Sequence, residues 1–251
     1  MGWTNVLKSY ASPISANLRG NFGNFRQCTT PNCGRQTVSI EPFQALWVVP
    51  PQNADGSFVL DGRLEDWIRT GPNGYGVGSW ENRKMDCEKC KAKEVDHDSY
   101  THITYLPNYI QINLKRFESP FGIQRKIMHT ARLPKSLRID MEPCFVPEAD
   151  RKEKDPERVG EKPPFMYEIY AVIHHKGGNA TSGHYWTIAK SPDKQGKMGN
   201  WNRFDDTRVS AANFADIEGG PGSAYIYLLR RLGVDDELEY DQLKKYGIPE
   251  T

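Results

Sequence analysis

Two close pairs of cysteines, far apart in the sequence, constrain the fold of this chain more than any other feature. Cys28 and Cys33 form the first pair, and Cys87 and Cys90 form the second. Four thiolates arranged as a tetrahedron are a common ligand set for a structural Zn²⁺ ion, with Zn–S distances of about 2.3 Å. A shared ion would hold two remote hairpin tips together and contribute on the order of 10 kcal/mol to the stability of that lobe.

Two other interpretations of the paired cysteines stay open at this point. In one, the four thiols are unrelated buried side chains; in the other, they form a zinc ribbon that binds nucleic acid. The balance of 33 basic and 32 acidic residues counts against a nucleic-acid partner, because it gives no positive field to attract phosphates. The fifth cysteine, Cys144, stands alone and is interpreted as an ordinary buried or surface thiol.

A predicted β-hairpin carries the second candidate site. Two short runs rich in aromatic and β-branched residues flank a loop of turn formers, a pattern typical of hairpins. If the hairpin bends symmetrically about the bond between Lys194 and Gln195, His184 lies directly opposite Asp205, with Cβ atoms about 5 Å apart. A carboxylate that holds an imidazole in one tautomer supplies two members of a nucleophile-activating triad. The alternative is an ordinary surface pair of a histidine and an aspartate.

Hydrophobic periodicity elsewhere predicts more strands than helices. Alternation is clearest from Tyr109 to Phe117, where Ile110, Ile112 and Leu114 share one face. Further strands are predicted at Thr37–Ile40, Ala45–Val49, Tyr167–Ile173 and Ala224–Leu229. Together these elements favour an α+β fold, in which an antiparallel sheet accompanies a zinc-bearing lobe.

Helix and loop signals are fewer. The clearest helix runs from Leu60 to Thr70, with Asp61 as its N-cap. Two more helices are predicted at Thr4–Tyr10 and Leu232–Tyr246. The charge-dense segment Glu148–Pro164 is interpreted as an exposed loop, and the polar stretch 21–36 is not assigned to a strand.

The sequence also argues against some partners and locations. No apolar run approaches the roughly 20 residues that span a bilayer, so no membrane partner is predicted. Residues 1–26 contain no apolar signal core, and five cysteines without such a signal argue against a disulfide framework. The predicted location is therefore the cytoplasm or the nucleus.

Four blocks of sequence, in the right order, resemble the ubiquitin-specific proteases, which are papain-like cysteine deubiquitinases. The resemblance runs from about residue 4 to residue 231. The blocks are Leu106–Phe117, the Gly183–Tyr185 box with the Trp201–Asp206 box, the two cysteine pairs, and the last strand at Ala224–Leu228. The first cysteine pair has a longer gap than this family usually shows.

The resemblance implies an α+β fold in which an antiparallel-sheet palm carries zinc-ribbon-like fingers and the thumb is missing or incomplete. Residues 1–251 would form a single, partial protease domain. Residues 16–105 are expected to form the fingers, residues 106–231 the palm, and residues 232–251 a C-terminal helix or tail.

The same resemblance implies thiol-dependent hydrolysis of ubiquitin isopeptide bonds, with ubiquitin or ubiquitinated proteins as partners. His184 is expected to be the general base, Asp205 to orient it, and Asp206 to assist. The loops Gly177–Gly183 and Ser119–Gln124 are expected to close over the ubiquitin tail. The ligands expected for a structural Zn²⁺ ion are Cys28, Cys33, Cys87 and Cys90.

One part of the family pattern is missing from this sequence. The family nucleophile lies in an Asn-x-Cys box upstream of the fingers, whereas no cysteine precedes Cys28 here and Cys144 lies in the wrong half of the chain. A His–Asp pair without a thiolate forms no acyl-enzyme, so the chain is predicted to be inactive alone. Three interpretations follow: part of a cysteine deubiquitinase, a catalytically dead relative that binds ubiquitin as a scaffold, or a zinc-stabilised interaction module with no link to ubiquitin.

Overall fold

The computed structural model describes residues 17–53, 57, 61–70, 75, 81–119, 122, 124–145, 165–179, 182–192 and 198–233. Strands outnumber helices in this part of the chain, as the periodicity predicts. The elements, in chain order, are β1 (Gly20–Cys28), β2 (Gln36–Phe43), β3 (Ala45–Val48), β4 (Asp61–Arg63), α1 (Leu64–Thr70), β5 (Glu81–Met85), β6 (Val95–Tyr105), β7 (Tyr109–Leu114), β8 (Phe117–Glu118), β9 (Arg125–Lys126), β10 (Thr130–Arg132), β11 (Arg138–Asp140), a 3-10 helix (Glu142–Cys144), β12 (Met166–Lys176), β13 (His184–Pro192), β14 (Met198–Asp205), β15 (Arg208–Ala211), α2 (Phe214–Glu218) and β16 (Ala224–Arg231).

Four strands make the first sheet, in the order β2–β1–β6–β5, and all neighbours are antiparallel. β1 lies inside this sheet, although its glycine and asparagine residues give no strand signal. Phe25 of β1 is buried and stacks on Tyr100 of β6, with ring centroids 4.9 Å apart. Pairing on both edges and burial of aromatic rings therefore override the weak β propensity of this segment. β1 ends at Cys28, so the sheet carries the first cysteine pair at one end.

The second sheet has eight strands, in the order β15–β14–β13–β12–β16–β7–β3, with β11 pairing another stretch of β12. Neighbours are antiparallel except for β3 with β7. The alternation predicted for β7 is confirmed, because Ile110, Ile112 and Leu114 are at most 1% exposed. β3 falls within residues 16–105, yet it joins this sheet rather than the first. The division of the chain into fingers and palm by residue range stays a prediction.

One hydrophobic core joins the second sheet to α1, whose Leu64 and Ile68 are buried. The helix begins at Leu64 rather than Leu60, so the prediction of Asp61 as its N-cap is wrong. Asp61 instead opens β4, which pairs in parallel with β10, and its carboxylate lies 3.1 Å from Arg132. Main-chain pairing with β10 therefore takes up the residues expected to start the helix.

A short helix that periodicity does not predict, α2, begins after Asn213. The Asn213 side chain accepts a hydrogen bond from the backbone N–H of Asp216, whose carboxylate accepts one from the backbone N–H of Asn213. This reciprocal capping box stabilises a helix of five residues, which is too short to show a 3.6-residue period.

Some predicted elements lie outside the described residues. They are the helix Thr4–Tyr10, the loop Glu148–Pro164 and the C-terminal helix beyond residue 233. Among the helices that the structure describes, none combines the length and apolar character needed to cross a membrane.

Candidate functional site

His184 is the first residue of β13, where the chain leaves the loop after β12. Its Nε2 lies 2.5 Å from Oδ1 of Asp205, the last residue of β14. Hydrogen bonds from Arg203, and then from His184, hold the pKa of Asp205 below its usual range, so the carboxylate is ionised and accepts the imidazole N–H. With the ring hydrogen on Nε2, Nδ1 carries the lone pair and is the nitrogen that accepts a proton.

The strand register differs from that of the symmetric hairpin. Thr187 lies opposite Phe204, and one further step along the same register brings Asp205 beside Trp186. The register is two residues away from the symmetric one, and a shift between Lys190 and Pro192 accounts for one of the two. The predicted direct opposition of His184 and Asp205 is therefore wrong, but residues two apart on a strand share a face. The two side chains meet as diagonal neighbours.

Arg203 holds the second oxygen of Asp205, and no motif in the sequence pointed to it. Its Nη2 lies 2.6 Å from Oδ2 and its Nε lies 3.2 Å from the same oxygen. The guanidinium also lies over the ring of Trp186, 4.7 Å from the centroid. The i,i+2 spacing of Arg203 and Asp205 on β14 is the signal that predicts a shared face. Because each carboxylate oxygen has its own partner, rotation of the Asp205 side chain is restricted.

Asp206, the third residue expected at this site, follows β14 with φ of 52°, in the left-handed region that Asp tolerates. One nitrogen or oxygen atom from each of His184, Asp205 and Asp206 lies within 4.8 Å of the other two. The side chain of His184 is 46% exposed and that of Asp205 is 24% exposed. The three groups thus lie together at the surface, within reach of a macromolecular ligand.

The four predicted zinc ligands come together at the turns between β1 and β2 and between β5 and β6. All four Sγ atoms, from Cys28, Cys33, Cys87 and Cys90, lie within 4.8 Å of one another. Those of Cys33 and Cys87 are 3.6 Å apart. A tetrahedral site with bonds of about 2.3 Å has S–S edges of about 3.8 Å, so this donor set fits Zn²⁺. A hydrogen bond from the backbone of Cys90 is the main cause that lowers the pKa of Cys87 to about 6, which favours the thiolate that a metal requires.

Side-chain contacts also join the two turns directly. Nη2 of Arg35, in the first turn, lies 2.6 Å from Oε2 of Glu88 in the second. Nζ of Lys89 donates to the carbonyl of Cys33 at 2.7 Å. Asn32 adopts a left-handed conformation with φ of 64°, which helps the longer first turn to close. These contacts link the two turns in addition to any metal–sulfur bonds.

Cys144, the remaining cysteine, lies in the 3-10 helix and is 1% exposed. It packs in the main hydrophobic core, and burial raises the pKa of its thiol to about 12. Its interpretation as an ordinary buried thiol is confirmed, and it is unsuited to act as a nucleophile.

Comparison with known proteins identifies relatives along most of the chain. Residues 2–229 match the family described as ubiquitin carboxyl-terminal hydrolase. The chain is 26% identical over 243 residues to ubiquitin carboxyl-terminal hydrolase 4 of Saccharomyces cerevisiae, a match that covers 92% of this chain and 23% of that protein. It is 30% identical over 154 residues to ubiquitin carboxyl-terminal hydrolase creB of Emericella nidulans, covering 58% of this chain and 18% of that protein. The chain therefore spans less than a quarter of the length of these two relatives.

Solved structures share the fold. The SAGA DUB module of Ubp8, Sgf11, Sus1 and Sgf73 bound to ubiquitin aldehyde matches with a TM-score of 0.64 at 23% identity, over 88% of this chain and 43% of that chain. Another SAGA DUB module matches with a TM-score of 0.66 at 20% identity, over 94% of this chain and 46% of that chain. The predicted α+β fold class is thereby confirmed. Since the family match covers far more than half of the sequence, this chain belongs to the ubiquitin carboxyl-terminal hydrolase family, among its ubiquitin-specific proteases.

Proposed function

We propose that this chain is the fingers and palm part of a cysteine deubiquitinase, binds ubiquitin or ubiquitinated proteins, and hydrolyses no isopeptide bond alone. The observation that carries this proposal is the 2.5 Å contact between Nε2 of His184 and Oδ1 of Asp205, which orients an exposed imidazole as a proton acceptor. A protein that only binds has no use for an oriented base. The preserved pair therefore favours a part in catalysis over scaffolding.

In the reaction proposed for the complete enzyme, a thiolate attacks the isopeptide carbonyl, the amine leaves, and water hydrolyses the acyl-enzyme. Nδ1 of His184 takes the thiol proton and later gives a proton to the leaving amine. Asp205 stabilises the imidazolium through Oδ1 while Arg203 holds Oδ2. Asp206, within 4.8 Å of these groups, adds negative potential beside the protonated ring.

The nucleophile is the part of this reaction that the chain does not supply. Four of its five cysteines lie in the cluster proposed to bind Zn²⁺, and Cys144 is buried in the core. Loss of the nucleophile removes the covalent route whatever the surrounding groups retain. The same distribution of thiols is what favours the alternative function, a catalytically dead scaffold of this family that binds ubiquitin.

Zn²⁺ is the proposed occupant of the cluster of Cys28, Cys33, Cys87 and Cys90. Four sulfur ligands leave no open coordination position, so the ion would be structural and would take no part in hydrolysis. Its task would be to lock the two turns of the first sheet, which supports a rigid surface for a globular partner.

Ubiquitin is the proposed ligand. Both named relatives are ubiquitin carboxyl-terminal hydrolases, and the similar SAGA DUB module binds ubiquitin aldehyde. The cytoplasm or the nucleus is the proposed location, and neither nucleic acid nor membrane is proposed as a partner.

Two measurements with ubiquitin test this function. Ubiquitin with a C-terminal vinyl sulfone should give no covalent adduct with the purified chain by intact-mass spectrometry, while unmodified ubiquitin should shift NMR signals of the chain on titration. An adduct would show that a working thiol is present, and Cys144→Ala would reveal whether Cys144 supplies it. Absence of any shift with ubiquitin would instead support a zinc-stabilised module with another partner.

A further inference from the structure

A second histidine, His175, lies buried beneath the connection between β12 and β13. It is 1% exposed, and its backbone N–H donates to the carbonyl of Ser223 at 2.8 Å. Three aromatic rings surround the imidazole, with centroids 4.5 Å away for Tyr185, 5.6 Å for Phe117 and 6.3 Å for Tyr225. An apolar ring would fill this space without the cost of burying polar nitrogens, so packing alone does not explain the residue.

Lys126 of β9 determines the tautomer and the protonation state of the His175 imidazole. Its Nζ lies 3.0 Å from Nδ1 of His175 and donates to the His175 carbonyl at 2.6 Å. An ammonium group only donates, so Nδ1 accepts and the ring hydrogen of the neutral imidazole is on Nε2. Burial, and then the charge of Lys126, lowers the pKa of His175, which keeps the ring neutral. The pair thus joins the β8–β9 hairpin to the end of β12.

The other side of the ring supports the two glycines that frame the loop before His184. A Cβ on Gly183 would lie 2.2 Å from Nε2 of His175, and a Cβ on Gly177 would lie 3.0 Å from its Cε1. Both glycines have positive φ, 152° at Gly183 and 156° at Gly177, so the backbone wraps closely over the imidazole. His184 follows Gly183 directly in the chain. The position of the buried His175 ring therefore sets the direction in which the exposed His184 side chain leaves the backbone.

We propose that Lys126 and His175 are positioning residues, which hold His184 against Asp205 by supporting the backbone at Gly183. The inference rests on the proposed role of His184 as the base. It also couples the two loops that the sequence assigned to the ubiquitin tail, because Lys126 follows one of them and His175 precedes the other.

Lys126→Met tests the pair, since it removes the ammonium and keeps the aliphatic stem. Two-bond ¹H–¹⁵N correlation spectra report the tautomer of each histidine in the folded chain. His184 should be mainly in the Nε2–H form in the wild type, and its ratio of Nε2–H to Nδ1–H should fall at least twofold in the variant. Lys126→Arg, which retains a cation and its donors, should recover most of the ratio.

Lys190→Met is the matched control. Lys190 is also partly buried and pairs with a carboxylate, at 2.5 Å from Glu168, but it lies near the other end of β13. This variant should leave the His184 tautomer unchanged. A lowered melting temperature in Lys126→Met with a wild-type His184 tautomer would reduce the pair to packing and overturn the proposal. Should Lys126→Met not fold, Lys126→Gln compared with Lys126→Arg answers the same question with a smaller change.

The proposal and the proposed function fail in different experiments. Ubiquitin that leaves every signal of the wild-type chain unshifted would overturn the function, while the tautomer comparison would still decide the role of Lys126. If the wild-type chain binds ubiquitin but Lys126→Met leaves the His184 tautomer unchanged, the positioning role alone would be overturned. His175→Phe, which keeps a ring but removes the Nδ1 acceptor, should reproduce the effect of Lys126→Met.

Discussion

The cysteine turns and the surroundings of His184 gain their stability in different ways. Three of the four cysteines form a small buried cluster of their own, with Val95 as its partly buried apolar neighbour. The β13 strand that carries His184 is instead backed by the main core, to which Ile188 contributes. The cysteine turns bury little apolar surface, so we expect their stability to depend on the proposed metal–sulfur bonds, whereas the larger sheet depends on burial of apolar area. With the proposed Zn²⁺ bound, metal binding and apolar packing would stabilise separate parts of one chain.

Loss of the metal should have the largest effect, and that effect should be confined to the first sheet. The chain refolded with Zn²⁺ should hold one zinc ion, and Cys87→Ser should lose it, at a cost on the order of 10 kcal/mol in binding free energy. Amides near the ends of β1 and β6 should then exchange faster, while those of β12 and β16 keep their protection. Metal analysis and hydrogen-exchange mass spectrometry measure the two effects.

Cys144→Ala serves as the control for the cysteine substitution, because Cys144 lies in the main core and outside the cluster. It should keep the zinc stoichiometry. Substoichiometric zinc in the wild-type chain, together with unchanged stability in a chelator, would contradict the metal site.

Arg116→Met should weaken the second sheet and leave the zinc content unchanged. Arg116 is 1% exposed and donates to the backbone carbonyls of Ala224, Ile127 and His129. Methionine fills similar space but removes a donor from each of these buried carbonyls, of which that of His129 keeps the backbone N–H of Gly222. We therefore expect the free energy of unfolding in urea to fall by about 3 kcal/mol. Arg116→Lys, which keeps the charge, should lose less. A loss below about 1 kcal/mol would show that other donors replace the guanidinium.

Acidification should destabilise the second sheet through His174, a buried residue whose ring stacks on Trp186 at 5.2 Å. Burial first, and then nearby Arg203 and Arg116, lower its pKa to about 4. An unfolded histidine titrates near 6.5, so the unfolded state takes up its proton first as the pH falls. The stabilising effect of the neutral ring is complete above pH 6.5 and is lost towards pH 4, about 2–3 kcal/mol in all.

His174→Phe should flatten that pH dependence, because phenylalanine keeps an aromatic ring without a titrating group. His129, with a pKa also lowered to about 4, should account for the part that remains. Urea unfolding between pH 7 and pH 4.5, followed by NMR signals of β12, measures the slope. A slope identical to that of the wild type would exclude His174 as its source.

His184→Ala should have the smallest effect on stability and binding. The side chain is 46% exposed, so we expect the free energy of unfolding to change by less than about 0.5 kcal/mol. If the task of His184 is proton transfer, ubiquitin affinity in calorimetry should change less than about threefold, or 0.7 kcal/mol. Asp205→Asn is the matched variant and should behave alike. A large loss of affinity would make His184 a binding residue.

Sequence patterns succeeded where a local rule governs the structure. Alternation placed Ile110 and Ile112 in the core, because a half-buried strand repeats every two residues. They failed for β1, whose Asn21 and Gly23 have low β propensity yet lie in an interior strand. They also failed at Asp61, where pairing between β4 and β10 replaced the expected helix cap.

By itself, the sequence determined which side chains this protein has for its chemistry: two cysteine pairs at metal-binding spacing, and a histidine box followed by an aspartate box. The spacing within each cysteine pair is local, and the geometry of a turn converts it directly into proximity. Only the tertiary structure decided the partners: Asp205 diagonal to His184, Arg203 on the second carboxylate oxygen, and Lys126 on buried His175. Strand register and the partners of polar side chains arise from contacts between residues far apart in the chain, and no local pattern encodes them.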